Sequence, residues 1–161
     1  MINNVGLRAG WLCLMSVSLV VLGGARAEEG AVSGKFTGNG KPAKLAFISA
    51  SKGDMLADKP TIKIVMTEKD HSRDKKPWIK AGFGDFGSAL IITVFHDGKI
   101  CGCEVAHTAH ERPGFSSLGD IATSDFKMES DVISGKIATH GEVSTFRQKW
   151  EVKLEFKVKV K

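Results

Sequence analysis

The chain has 161 residues, with 23 lysines and arginines against 18 aspartates and glutamates, a formal net charge of +5. That charge is spread thinly and falls well short of the concentrated positive field of a nucleic-acid binder, so no nucleic-acid partner is expected. Tyrosine is absent and there are 18 glycines, a balance that suits a turn-rich β protein better than a helical one.

In chain order, the first segment reads as an address rather than a fold. Arg8 gives a positive start, an uncharged apolar run covers residues 11–22, and "GGARA" places Ala25 and Ala27 at the −3 and −1 positions of a cleavage site. That order is the layout of a cleavable secretory signal, residues 1–27. The run is well short of the ~20 residues that span a bilayer, so cleavage after Ala27 is preferred to a membrane anchor. No stable membrane insertion is expected afterwards, and the protein is expected in the periplasm or the medium. No cysteine directly follows the run to carry a lipid. Removing 27 of the 161 residues leaves a mature chain, 28–161, of 134, enough for one domain with its own core. Loss of Arg8 and Arg26 leaves 21 basic against 18 acidic residues, a net of +3.

Strand signals then follow one another. "VSGKFTGNGKPAKLAFISAS" holds two extended runs around Asn39-Gly40, the dipeptide that best tolerates the two left-handed positions of a tight hairpin. "PTIKIVMTE" alternates Ile62, Ile64 and Met66 with Thr61, Lys63 and Val65. "SALIITVFHDGKICGCEVAH" repeats the hairpin pattern at Asp97-Gly98, and its first arm is apolar on both faces, as a central strand would be. "SDFKMESDVISGKIATHGE" reads as two strands joined through residues 129–131, with Gly135 marking a bulge. In the last segment Trp150, Val152, Leu154, Phe156, Val158 and Val160 alternate with charged residues, a period of two that puts every large apolar group on one face. No stretch of the mature chain has helical periodicity. About seven to nine short strands with hairpin turns predict an all-β fold, a single antiparallel β-sandwich of the immunoglobulin-like kind.

The order "GKFTGNGKPAKLAF", "GCEV", then "SGKIAT" leading into "FRQKWEVKLEFKV" resembles a group of exported bacterial β-sandwich domains of uncharacterised function. They open with a G-x-h-x-h-x-G-K hairpin (h, apolar) and close with a long alternating strand. The resemblance covers about residues 32–160 and implies fold and export. Its motifs are turns and strands, so it carries no functional residue onto this chain. The closing strand is lysine-rich here where that group has acidic or polar residues, so no shared ligand is implied.

The densest chemistry is "KICGCEVAHTAH", residues 99–110. On an extended strand Cys101 and Cys103 share a face, with Cα atoms about 6.6 Å apart. A disulfide favours ~5.5–6 Å, so a bridge requires the bend that Gly102 permits, and a strained bridge is readily reduced. Three readings stay open: two thiols packed as small hydrophobes, a short-loop disulfide or redox pair, and a soft-metal site. On a straight strand His107 lies about 13 Å beyond Cys103, too far for one coordination shell, and the spacing matches no zinc pattern. No metal or other cofactor is predicted.

"GFGDFG", residues 82–87, has the form G-x-G-x-x-G but follows a charged loop and runs into a strand, the wrong context for a dinucleotide. It reads as a flexible glycine loop. With the preceding residues it offers Trp78, Phe83 and Phe86 at one end of the sandwich, either a stacking surface for a ligand or a cap on the open core. The lysines of the final segment read as a solvated sheet face that also discourages edge-to-edge pairing. No nucleophile-elbow motif is present. The expectation is therefore an exported, non-catalytic binding or interaction module with a protein or glycan partner. The alternative is a thiol redox or metal-handling protein built on Cys101 and Cys103.

Overall fold

Asn39 and Gly40 take left-handed backbone, at φ 47° and 76°, and turn β1 (Gly30–Gly38) into β2 (Lys41–Ala43), with Gly38 opposite Lys41. This two-residue turn opens a computed structural model that describes residues 30–112 and 114–161. The expected signal segment, 1–27, lies outside the described residues. After β2 the chain crosses to a second sheet for β3 (Phe47–Lys52) and β4 (Thr61–Thr67), then α1 (Pro77–Gly82), β5 (Ala89–Phe95), β6 (Ile100–Ala106) and β7 (Gly114–Ser116). It returns to the first sheet for β8 (Ile121–Glu129), β9 (Val132–Thr139), β10 (Val143–Thr145) and β11 (Gln148–Lys159).

The second sheet is a meander in chain order, β3-β4-β5-β6-β7, and the first has the order β2-β1-β11-β9-β8 with β10 added beside β11. All ladders within the sheets are antiparallel. The fold is the all-β, two-sheet sandwich that the alternation predicts, with eleven strands among the described residues rather than seven to nine. The excess comes from β2, β7 and β10, each of three residues and too short to display a period.

One apolar core fills the space between the sheets. Phe36 of β1, Ile133 and Ile137 of β9, and Trp150, Val152, Leu154, Phe156 and Val158 of β11 meet Ile62, Ile64, Met66, Leu90, Ile92, Val94 and Val105 from the other side. Burying each such side chain stabilises the fold by roughly 1.5–3 kcal/mol. Lys153, Glu155, Lys157 and Lys159 look outward and are exposed. Exposed ion pairs such as Lys159–Asp131 at 2.9 Å contribute little there. Gly135 marks a bulge as expected, although the extra residue is on the partner strand: Ser124 pairs with Lys136 and Lys127 with Ser134, leaving Asp125 and Phe126 opposite Gly135.

The second sheet is covered on its outer face too. Val65, Ala89, Ile91 and Ala106 form a smaller cluster with Ala81 of α1, and Trp78 and Phe86 pack against it. The helix is the main departure from expectation. It has six residues, too few to show a 3.6-residue period, and its one sequence signal is Pro77 at the first turn, where the missing N–H costs nothing. Residues 82–87, expected to be a flexible loop, are a string of hydrogen-bonded turns: Gly84 N–H donates to the Ala81 carbonyl and Gly87 N–H to that of Gly84, each at 3.0 Å.

Candidate functional site

The outward parity of β3 places Phe47, Ser49 and Ser51 away from the core, while Ile48 and Ala50 point into it. β3 is an edge strand, and the segment between β4 and α1 folds back beside it. Between them lies a cleft of about 820 Å3, bordered by Phe47, Ser49, Asp70, His71, Asp74, Lys75, Trp78 and Lys161 among others. That volume is within the ~300–1,000 Å3 of small-molecule sites.

His71 is 4% exposed and both its ring nitrogens are held. Thr67 Oγ1 lies 2.6 Å from Nδ1 and Ser49 Oγ lies 2.7 Å from Nε2. The proton positions follow from counting donors. The single Thr67 hydroxyl proton is donated to the Lys69 carbonyl at 2.7 Å, so Thr67 Oγ1 must accept from Nδ1–H. In the neutral ring Nε2 then carries a lone pair, and Ser49 O–H donates to it. Burial lowers the His71 pKa, the charges of Asp70 and Asp74 oppose that, and Lys161 adds to it. The ring is therefore neutral near pH 7, a base with a hydroxyl proton aimed at it. Ser49 is half-buried and borders the cleft. Phe86 packs against the imidazole with centroids 5.9 Å apart.

Of the three aromatic residues proposed as a stacking surface, the structure brings one to the cleft. Trp78 borders it, half-buried, with the Lys63 ammonium 4.7 Å from its ring centroid. Phe83 follows the helix and is 70% exposed, and Phe86 turns onto the sheet beneath α1. Ser49, Thr67 and His71 were not singled out by sequence reasoning. The spacing of Thr67 and His71, four residues apart across a turn, hints at contact. Nothing in the sequence joins them to Ser49, which arrives through the β3–β4 register with Val65 as its pair.

Cys101 and Cys103 are both free thiols. Thr93 pairs with Gly102 and Val94 with Ile100, so Cys101 is the extra residue of a β-bulge, half-buried, and its thiol donates to the Thr93 carbonyl at 3.4 Å. Cys103 is 2% exposed in the main core. Burial, helped by Glu104 and Asp120, pushes its pKa up to about 12, and burial raises that of Cys101 as well. Thiols held protonated are poor nucleophiles and poor metal ligands.

His107 leaves the end of β6 and packs edge-on against Phe36, with centroids 5.1 Å apart. It begins a row of rings, since His110 is 5.2 Å from it and Phe115 is 5.4 Å from His110. Beside the row, Gln148 Oε1 accepts from the Asn39 side chain at 3.0 Å and the Glu111 N–H at 3.2 Å, tying the first hairpin to the final strand. Among the described residues no group of three or more His, Cys, Asp or Glu side chains gathers around one point.

Comparison with protein-family models, curated proteins and solved structures gives no match, so function is argued from these residues alone.

Proposed function

We propose that the protein is an exported binding module of the periplasm or medium and that its ligand is a glycan seated in the cleft beside β3. The observation that carries this reading is the lining of that cleft: one indole beside hydroxyls, carboxylates and ammonium groups in a single recess. A sugar ring has an apolar C–H face suited to an aromatic plane and a rim of hydroxyls suited to groups such as Asp74, Lys75 and Ser49. Export rests on the residue order of segment 1–27, with Glu28 as the expected new N-terminus. The modest net charge gives no support to a nucleic-acid partner, and among the described residues no helix is long and apolar enough to cross a membrane. The thiol alternative has less support, because burial raises both thiol pKa values, that of Cys103 to about 12, and the bulge at Cys101 gives the two sulfurs separate environments.

The test uses intrinsic fluorescence. The chain has three tryptophans; signal cleavage would remove Trp11, and Trp150 is 1% exposed in the core. A change in emission on titrating neutral and acidic oligosaccharides therefore reports on Trp78. We expect a saturable change with one class of sugar, abolished in Trp78→Ala. Unchanged emission and unchanged thermal midpoint with every sugar at millimolar concentration would reject the reading.

A further inference from the structure

Binding alone makes no use of the imidazole of the cleft, which is hydrogen-bonded at both ring nitrogens. A hydroxyl-to-imidazole hydrogen bond, with the far ring nitrogen locked by another hydroxyl, does more than solvate a buried ring. The lock selects the tautomer whose free lone pair faces Ser49. That is the arrangement required of a nucleophile and its base.

We propose that Ser49 and His71 are catalytic residues of an acyl transfer, with Thr67 as the positioning residue, and that the cleft hydrolyses carboxylic esters whose alcohol portion is a sugar. This rests on the cleft being the ligand site, and it replaces the expectation of a non-catalytic module. The geometry meets two structural requirements: the Ser49 Oγ–His71 Nε2 distance is 2.7 Å, and Ser49 borders a space large enough for substrate. Ser49 Oγ attacks the ester carbonyl carbon, forming a C–O bond, while its proton passes to His71 Nε2. The tetrahedral adduct collapses by breaking the bond to the alcohol oxygen, which takes the proton back from Nε2. Water then attacks the acyl-Ser49 carbonyl and gives its proton to Nε2. The Ser49 C–O bond breaks, and the serine oxygen recovers the proton as the carboxylic acid leaves. The sum is ester plus water giving acid plus alcohol, with no oxidant or metal required.

Where serine hydrolases place a buried carboxylate behind the imidazole, this site has a neutral hydroxyl. A threonine fixes the tautomer as a carboxylate does, but supplies no full charge to the imidazolium. The charged groups that face the ring are Asp70, Asp74 and Lys161, with Lys75 also at the cleft; the two carboxylates partly substitute for the missing charge. Modest turnover is the consequence, so the decisive assay follows covalent capture of the serine.

The mature protein is incubated with a fluorophosphonate probe and digested, and the modified serine is located by mass spectrometry. We expect modification at Ser49, none there in Ser49→Ala, and a rate that rises with pH through the His71 titration before reaching a plateau. Thr67→Val should slow capture at least tenfold while keeping the wild-type circular dichroism, and Thr67→Ser should restore it. His71→Asn should slow capture by 100-fold or more. If that buried variant fails to fold, the wild-type pH profile and the Thr67 pair still decide the question. Hydrolysis of p-nitrophenyl acetate should follow the same order among variants. Absence of Ser49 modification after prolonged exposure, or capture that is independent of both pH and Thr67, overturns the inference. The sugar titration of Trp78 is read separately, so a binding cleft without chemistry and a cleft that binds nothing give different results.

Discussion

Replacing Phe156 by alanine tests the architecture at its centre. Phe156 is 3% exposed and lies on β11 between Val32 of β1 and Gly135 of β9, so the sheet leaves no free edge from which the site could collapse. A phenylalanine ring buries at least ~150 Å2, which at about 25 cal/mol/Å2 is near 4 kcal/mol. The residual cavity and the compactness of the unfolded chain act in opposite directions on that figure. The expected loss is therefore about 3–5 kcal/mol, a large share of the ~5–15 kcal/mol of an ordinary domain. With an unfolding entropy near 2.1 cal/mol/K per residue, this corresponds to roughly 10–18 °C in midpoint. Lys157→Ala, one step along the same strand but exposed, should cost less than ~0.5 kcal/mol. Urea unfolding followed by far-ultraviolet circular dichroism, with slopes compared to confirm two-state behaviour, measures both. Equal midpoints for the two variants would refute the assignment of the inward face.

Other outcomes follow from local chemistry. Gly34 has φ 128° and pairs with Leu154, and an added Cβ would run into the Lys153 carbonyl oxygen. Gly34→Ala should therefore cost more than ~2 kcal/mol in the same urea experiment, whereas Gly40→Ala, where a Cβ meets nothing within 4 Å, should cost only about 1 kcal/mol; the reverse order would contradict the β1–β11 packing. His71, His107 and His110 all have pKa values lowered by burial from an ordinary 6.5. Between the folded and unfolded pKa values the unfolded chain binds more protons, so this contribution is complete above about pH 6.5 and is lost as pH falls below it. The melting temperature should drop between pH 7.5 and pH 5, before the carboxylates protonate, and a flat or rising profile would disagree. Iodoacetamide at pH 8 should alkylate Cys101 well before Cys103 in the native protein and both in denaturant; early modification of Cys103, read by peptide mass, would show that it is not in the core.

The elements most legible in the sequence are those whose pattern is local. β11 shows its alternation over its whole length, and Asn39-Gly40 sets its hairpin without help from the rest of the chain. The expected apolar-on-both-faces character of β5 is also met, with Ile92 in the main core and Ile91 beneath α1. What could not be read depends on pairing. The helix is shorter than two periods, so Trp78 and Phe83 look alike in sequence although one borders the cleft and the other faces solvent. Ser49 looks like any outward strand serine until the β3–β4 register and the turn after Thr67 bring an imidazole within 2.7 Å. The two cysteines attract attention by proximity in sequence, yet a bulge gives them separate environments.

The pairing of β1 with β11 also governs the order in which the two sheets can close. Gly30 meets Val158 and Gly38 meets Trp150, so β1 waits for a strand more than a hundred residues further along the chain before its sheet can form. Contacts this distant in sequence are closed late and slowly. A chain lacking residues 148–159 would have no central strand in that sheet, and its β1, β8 and β9 segments should be protease-sensitive. Closure of the first sheet is thereby tied to the far end of the described chain, while the β3–β7 meander, built from chain neighbours, can assemble before it.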